Sequence, residues 1–415
     1  MLASLQSSFS PCPSTLPLLK TCLHKLSVTH FRFEISSVQR LSNRSFQEQQ
    51  RELRRSSSVS SSSVSHIEVM ESLDAESSGE VSLLSFLSRE GSGADDGLII
   101  LVSHLQAACA RIASLLASPS TVKAASAKQP KASSVATSGR DAPKALDIVS
   151  NNIIKAALQN SEKVAAIASE EDDMPVWFTD TGPYVVVFDP LDGSRNIDAS
   201  IPTGSIFGIY RRMEEADALP EAEKAELNVL QRGDRLVAAV YALYSSATVL
   251  CISLGSGTHA FTLERSTGDF VLTNSNLSIP KRGQIYSVND ARYFDWPEGL
   301  QRYINDVRQG KGQNPKKYSA RYICSLVADF HRTILYGGIA MNPRAHLRLV
   351  YEANPLSFIA EQAGGKGSDG TRRILDIQPK ELHQRLPLFL GSADDITELL
   401  SYKNVQQLVN PGYEV

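Results

Sequence analysis

Asp189-Pro190-Leu191-Asp192-Gly193-Ser194-Arg195-Asn196-Ile197-Asp198 is the densest chemistry in this chain. It follows Val185-Val186-Val187-Phe188, a β-branched run that predicts a buried strand. Carboxylates at Asp189 and Asp192, with proline between, can point into one space at that strand's end. Magnesium takes oxygen ligands, usually a few carboxylates completed by phosphate and water. Gly193-Ser194 then exposes backbone N–H groups and a hydroxyl that can cradle a phosphate beside a metal. On its own, Asp-x-x-Asp-Gly describes a surface Asx turn equally well. The reading depends on what other acids the chain supplies.

Glu170-Glu171-Asp172-Asp173 follows Val164 to Ile167, another predicted strand, and precedes Asp189 by fewer than 20 residues. Such a run is commonly a solvated turn, but this spacing suits adjacent strands delivering acids to one sheet edge. Glu352 lies in Leu349-Val350-Tyr351-Glu352-Ala353-Asn354-Pro355, an otherwise apolar segment. An acid buried there unpaired would be costly. Its plainest partner is Arg348, four residues back on the same predicted helix.

Working outward, Leu98 to Leu116 predicts a long amphipathic helix ended by Pro119, and Leu146 to Leu158 a second. Residues 118–143, rich in Ser, Ala, Lys and Pro, are expected to be a flexible loop. Leu236 to Leu254 and His259 to Leu272 predict antiparallel strands, with a turn at Ser266-Thr267-Gly268-Asp269. Ile285 to Val288 and Leu388 to Leu390 predict further strands. Helices are expected over Tyr322 to Arg332, Ile396 to Tyr402, and Leu347 to Gln362, the last bent at Pro355 and closed by Gly364-Gly365. The pattern is mixed α/β without the regular βα alternation of a barrel.

At 415 residues, two packed domains after a leader are expected. The net charge of -3 argues against a general nucleic-acid or membrane binder. No run of ~18 uncharged apolar residues suggests a transmembrane helix. The five cysteines form neither a C-x-x-C nor a zinc spacing, and Cys109, Cys251 and Cys324 are expected to be small buried residues. Residues 1–65 are serine-rich, basic and nearly acid-free, with Glu34 the only acid before Glu48. That composition is the organelle transit pattern, or else a disordered tail with no address. A plastid transit peptide removed near residues 55–66 is the expectation.

Taken together, these segments resemble fructose-1,6-bisphosphatase, within the lithium-sensitive, metal-dependent phosphatases. The resemblance covers about residues 81 to 402. It rests on Phe188 to Asp198, Thr203-Gly204-Ser205-Ile206-Phe207-Gly208-Ile209-Tyr210, Ala239 to Tyr244, Ile285 to Asn289, Ala320-Arg321-Tyr322, Val327 to Arg332 and Leu335-Tyr336-Gly337-Gly338. It implies a two-domain layered α/β/α/β/α fold, divided into 66–276 and 277–415, in a homo-oligomer (dimer or tetramer) of the plastid stroma. Its metal ligands would be Glu170, Glu171, Asp189, Asp192, Glu352 and the Leu191 carbonyl, holding two or more magnesium ions. Asp147 and Glu171 would help deprotonate the attacking water. Gly193 and Ser194, beside Asp192, would cradle the reacting 1-phosphate. Asn289, Arg321 and Tyr322 would surround the distal phosphate, with Arg321 reaching into a neighbouring subunit.

The sequence also departs from that pattern. The family's tyrosine three places after Asn289 is Arg292, with Tyr293 beside it as the alternative ligand. The tyrosine before Pro343 is Asn342, the lysine two places before Arg348 is His346, and the serine after Ser194 is Arg195. The segment Arg211 to Arg235 holds no cysteine, unlike the insertion of thioredoxin-controlled plastid forms. Pro183-Tyr184 stands where AMP-inhibited forms have Lys-Tyr, and Asp95-Asp96 lie in the N-terminal phosphate loop. The expectation is hydrolysis of fructose 1,6-bisphosphate, insensitive to both controls. Sedoheptulose 1,7-bisphosphate or another sugar bisphosphate is the alternative substrate, and a non-catalytic sugar-phosphate sensor the alternative role.

Overall fold

The computed structural model describes residues 80–89, 92–118 and 145–408. The leader expected over 1–65, and the expected loop beyond Ser118, lie outside them. Eight strands build one sheet: β1 (Val164–Ser169), β2 (Val176–Trp177), β3 (Tyr184–Asp192), β4 (Thr203–Arg211), β5 (Leu236–Tyr244), β6 (Thr248–Ser253), β7 (Thr258–Leu263) and β8 (Phe270–Asn274). Their order is β2-β1-β3-β4-β5-β6-β7-β8, and β1 pairs in parallel with β3. A second sheet contains β9 (Ile285–Ser287), β10 (Ser319–Ala320), β11 (Ile339–Arg348), β12 (Lys366–Ser368) and β13 (Arg385–Gly391), ordered β10-β9-β11-β13-β12.

The helices are α1 (Leu83–Leu87), α2 (Asp96–Ala117), α3 (Ala145–Asn160), α4 (Glu221–Val229), α5 (Glu298–Gln309), α6 (Leu326–Tyr336), α7 (Asn354–Gln362) and α8 (Ala393–Ser401). Together they make the layered α/β/α/β/α arrangement. α2 and α3 cover one face of the first sheet. α6 and α7 fill the space between the sheets, and α5 and α8 cover the far face of the second.

This layering explains the apolar run before Asp189. Val186 and Phe188 pack towards α2 and α3, while Val185 and Val187 pack into the central layer. A strand buried on both faces loses the alternation of a half-exposed one. Each fully buried Val or Phe here contributes about 1.5–3 kcal/mol relative to exposure.

Several local expectations need correction. Leu236 to Leu254 is two strands, β5 and β6, reversed at Ser245-Ser246-Ala247, where Tyr244 pairs with Thr248. The helix expected from Tyr322 begins at Leu326. Cys324 stands before it at φ +67°, and the Ser325 side chain accepts from the Ala328 N–H as its N-cap. Leu347 and Arg348 finish β11. Leu349–Ala353 then make a wider π turn that runs straight on into α7, with Pro355 just past the join. Cys109 and Cys251 are buried as expected, but Cys324 is exposed. α2 has the length and apolarity of a membrane span, despite its charged residues Asp96 and Arg111. Its face of Leu101, Val102, Leu105 and Cys109 is wholly buried against the first sheet.

Candidate active site

The Asp189–Asp192 stretch leaves the sheet through a break in register. Asp189 pairs with Ile206 but Asp192 with Gly204, so β3 carries one residue more than β4 across the same interval. The extra residue turns both carboxylates out of the ladder. Asp189 is buried, and its Oδ1 accepts from the Leu191 N–H at 2.9 Å. Asp192 Oδ2 accepts from the Val327 N–H at 3.3 Å, in the first turn of α6. Gly193, at φ +76°, starts the 3-10 turn Ser194–Ala199. Gly204 permits the close approach of α6, since a Cβ there would lie 2.6 Å from Val327 Cγ2.

Glu352 comes from the π turn. It is buried and accepts from the Arg348 backbone N–H at 2.5 Å, while the Arg348 guanidinium pairs with Glu170. The expected i,i+4 contact therefore runs through Arg348's backbone. Oxygens of Asp189, Asp192 and Glu352 all lie within 4.8 Å of one another. Burial, then the charges of Asp192 and Glu352, push Asp189 well above the usual carboxylate range. Burial and Glu352 push Asp192 up to about 7. Burial also raises Glu352, opposed by Arg348. Crowded acids of this kind call for a cation.

Glu170 and Glu171 sit at the end of β1. The Glu170 N–H donates to Phe188 O at 3.0 Å, which holds this turn beside β3. Asp172 ties the turn to α3, accepting from Asn151 Nδ2 at 3.1 Å and Lys155 Nζ at 2.8 Å. α3 carries Asp147 in its first turn, buried at the cleft wall.

These acids open into a cleft of about 370 Å³ that also meets Leu191, Gly193, Ser194 and Arg195. Asn289, Arg292, Tyr322, Asn342 and His346 line the same cleft. Arg321 is exposed and does not line it. Arg292 bonds Asp295 at 3.1 Å. Tyr293 accepts instead from Asn305 and packs on Trp296, outside the cleft lining. Sequence reasoning missed Arg344 and Arg385 in the wall. Arg385 arrives by pairing with Arg348 across β11 and β13, and residues between Asn342 and Leu347 leave that ladder in a register shift. Nothing local to either arginine signals this.

A second acid site, at Asp95, has a different character. The Asp95 side chain caps α2 through the Leu98 N–H at 2.8 Å, and accepts from Tyr184 Oη and Arg211 Nη2, each at 2.5 Å. Arg211 also stacks over the Tyr184 ring, 4.6 Å from its centroid. Burial opposes ionisation here, but the bonds from Tyr184, Arg211 and Leu98 prevail and hold Asp95 down at about 2.

Two sequence profiles match the chain. That for the N-terminal domain of fructose-1-6-bisphosphatase matches residues 86–275, and that for its C-terminal domain matches 279–404. The chain is similar to the chloroplastic fructose-1,6-bisphosphatase of Brassica napus, 48% identical over 326 residues, or 74% of this chain and 77% of the relative. Its likeness to that of Spinacia oleracea is 45% over 335 residues, 76% and 79% of the two chains. Among solved structures it is similar to Leishmania major fructose-1,6-bisphosphatase in holo form, with a TM-score of 0.70 and 34% identity over 78% of this chain and 98% of that one.

Proposed function

This chain belongs to the fructose-1,6-bisphosphatase family, and from that premise we propose that Glu170, Glu171, Asp189, Asp192, Glu352 and the Leu191 carbonyl hold two or more magnesium ions over the 1-phosphate. The chain hydrolyses fructose 1,6-bisphosphate to fructose 6-phosphate and phosphate. The observation that carries the metal assignment is the triad of carboxylates with oxygens within 4.8 Å. An all-oxygen donor set fits magnesium.

Bound there, magnesium would acidify a water and stabilise charge on the departing sugar oxygen. Asp147 and Glu171, both at the cleft wall, take the water's proton. Gly193 and Ser194 offer the reacting phosphate backbone donors and a hydroxyl. Asn289, Arg292, Tyr322, Asn342 and His346 hold the phosphate that stays. In this division the first sheet carries most metal ligands, and the segment from 277 onward binds the sugar phosphate. Measuring phosphate release from fructose 1,6-bisphosphate and sedoheptulose 1,7-bisphosphate, with and without magnesium, tests the assignment. Release that ignores magnesium sinks the metal role, and faster release from the seven-carbon sugar moves the substrate.

The plastid address is also proposed. It is supported by the chloroplastic relatives and by the serine-rich, acid-poor leader. A reporter fused after residue 79 should enter plastids, and a cytosolic reporter would refute the address. The exposed position of Arg321, outside its own cleft, supports a homo-oligomer in which it serves a neighbour. Light scattering that gives a monomer would refute that.

A further inference from the structure

We propose that Ser205, backed by Tyr244, is a positioning residue that sets the shape of the metal loop. The inference rests on the metal assignment above and concerns one peptide group, that between Pro190 and Leu191. Because β3 has an extra residue between Asp189 and Asp192, the β4 ladder does not serve this peptide. Its carbonyl, on Pro190, instead accepts from the Ser205 hydroxyl at 2.7 Å. Its N–H, on Leu191, donates to Asp189 Oδ1 at 2.9 Å. A peptide is a rigid plane, so fixing one end orients the other. Ser205 thus governs which way the Asp189 carboxylate faces, and where the chain turns to present the Leu191 carbonyl.

The hydroxyl is itself held. Ser205 is fully buried on β4, opposite Ala242, and lies 2.9 Å from Tyr244 Oη. Since the Ser205 proton goes to Pro190, Tyr244 must donate to the Ser205 oxygen. Burial keeps the Tyr244 phenol protonated, raising it well above its ordinary value, and its oxygen meets the Cys109 thiol of α2. The chain of contacts runs from a core helix to the metal loop and contains no metal ligand. Loss of the Ser205 hydroxyl leaves a buried carbonyl unsatisfied, and the loop turns to find another donor.

The test is calorimetric titration of the full chain with manganese and magnesium, alongside the melting temperature without metal. Ser205→Ala should bind metal about 10–100-fold more weakly, the usual effect of losing a group that orients a ligand. Its metal-free melting should fall by no more than a few degrees, the effect of a lost buried hydrogen bond, and KM for fructose 1,6-bisphosphate at saturating magnesium should stay within about twofold. Ser205→Thr, which keeps the hydroxyl, should restore most of the affinity. Should Ser205→Ala fail to fold, Tyr244→Phe carries the test, with several-fold weaker metal binding expected. Unchanged metal affinity in the folded alanine variant, or in Tyr244→Phe, overturns the proposal, as does a threonine variant no better than alanine. A wild-type chain that binds no divalent ion removes the metal assignment itself, and this proposal with it.

Discussion

The acids of the cleft and the acid at the head of α2 are built from the same residue type and behave in opposite ways. Asp95 has its countercharge and its donors inside the protein: Arg211, Tyr184 and the Leu98 N–H. It is complete, and its carboxyl is held at about 2. Asp189, Asp192 and Glu352 crowd one another instead, and all three are raised. A carboxylate satisfied from within is structure. Carboxylates that repel one another, held in place by backbone donors, are a receptor waiting for positive charge.

The sharpest way to break this contrast is Asp192→Ala. Magnesium-dependent turnover should fall by at least ~10³-fold, the scale of losing a group that organises transition-state charge. The metal-free protein should melt no lower than wild type, because a repulsive neighbour has gone. Near-normal turnover, or a clear loss of metal-free stability, would show that the cleft acids are structural like Asp95.

Metal and pH give the next largest effect. Asp192 binds its proton more tightly folded than unfolded, so its contribution to stability is complete below about pH 4 and is lost as pH rises through about 7, with Asp189 and Glu352 shifted in the same direction. Metal-free protein should therefore melt lower at pH 8 than at pH 5. Magnesium at ~100 times its Kd should add about 2.7 kcal/mol, roughly 4 °C at pH 8 for a body of this size, and much less at pH 5. Differential scanning fluorimetry across pH, with and without magnesium, measures it. A magnesium shift equal at both pH values would contradict the assigned cluster.

Arg292 extends the comparison to anions. Arg211 is paired with Asp95 at the head of α2, whereas Arg292, paired with Asp295 at 3.1 Å, also lines the cleft. Arg292→Ala should raise KM for fructose 1,6-bisphosphate by about 10–100-fold, from roughly 1.5–3 kcal/mol of lost charged hydrogen bonding, with kcat changing less. Tyr293→Phe should leave KM alone, since its hydroxyl serves Asn305. The reverse result would return the phosphate contact to Tyr293.

The smallest effect belongs to the satisfied acid. Asp95→Ala should cost about 1 kcal/mol through loss of the helix cap, read from the melting curve. Wild-type activity should be indifferent to micromolar AMP, because Asp95 and Asp96 in the N-terminal loop repel a phosphate. Marked inhibition by AMP would mean that this site is not closed from within.

How much of this was legible without coordinates follows from distance along the chain. Asp189 to Asp198 could be recognised because its ligands, glycine and preceding strand are contiguous. Glu352 stood out because an acid in an apolar segment needs a reason. Arg344 and Arg385 carried no such mark, because the β11–β13 pairing and its register shift put them in the wall. The β5–β6 reversal was hidden because Ser245-Ser246-Ala247 lacks the glycine or proline that usually announces a turn. The role of Ser205 was invisible for a similar reason: its partner is a carbonyl 15 residues back, exposed to it only by one surplus residue in β3.

The central helical layer has a consequence for how the protein can be taken apart. α7 is buried from Asn354 through Ala360, with one side on the first sheet and the other on the second. Its amides should therefore exchange with deuterium only when the whole body opens, making them the slowest in the molecule. For the same reason a fragment cut at residue 276 would carry a sheet stripped of its inner cover. Residues on both sides of 276 share one interior, so they should unfold together.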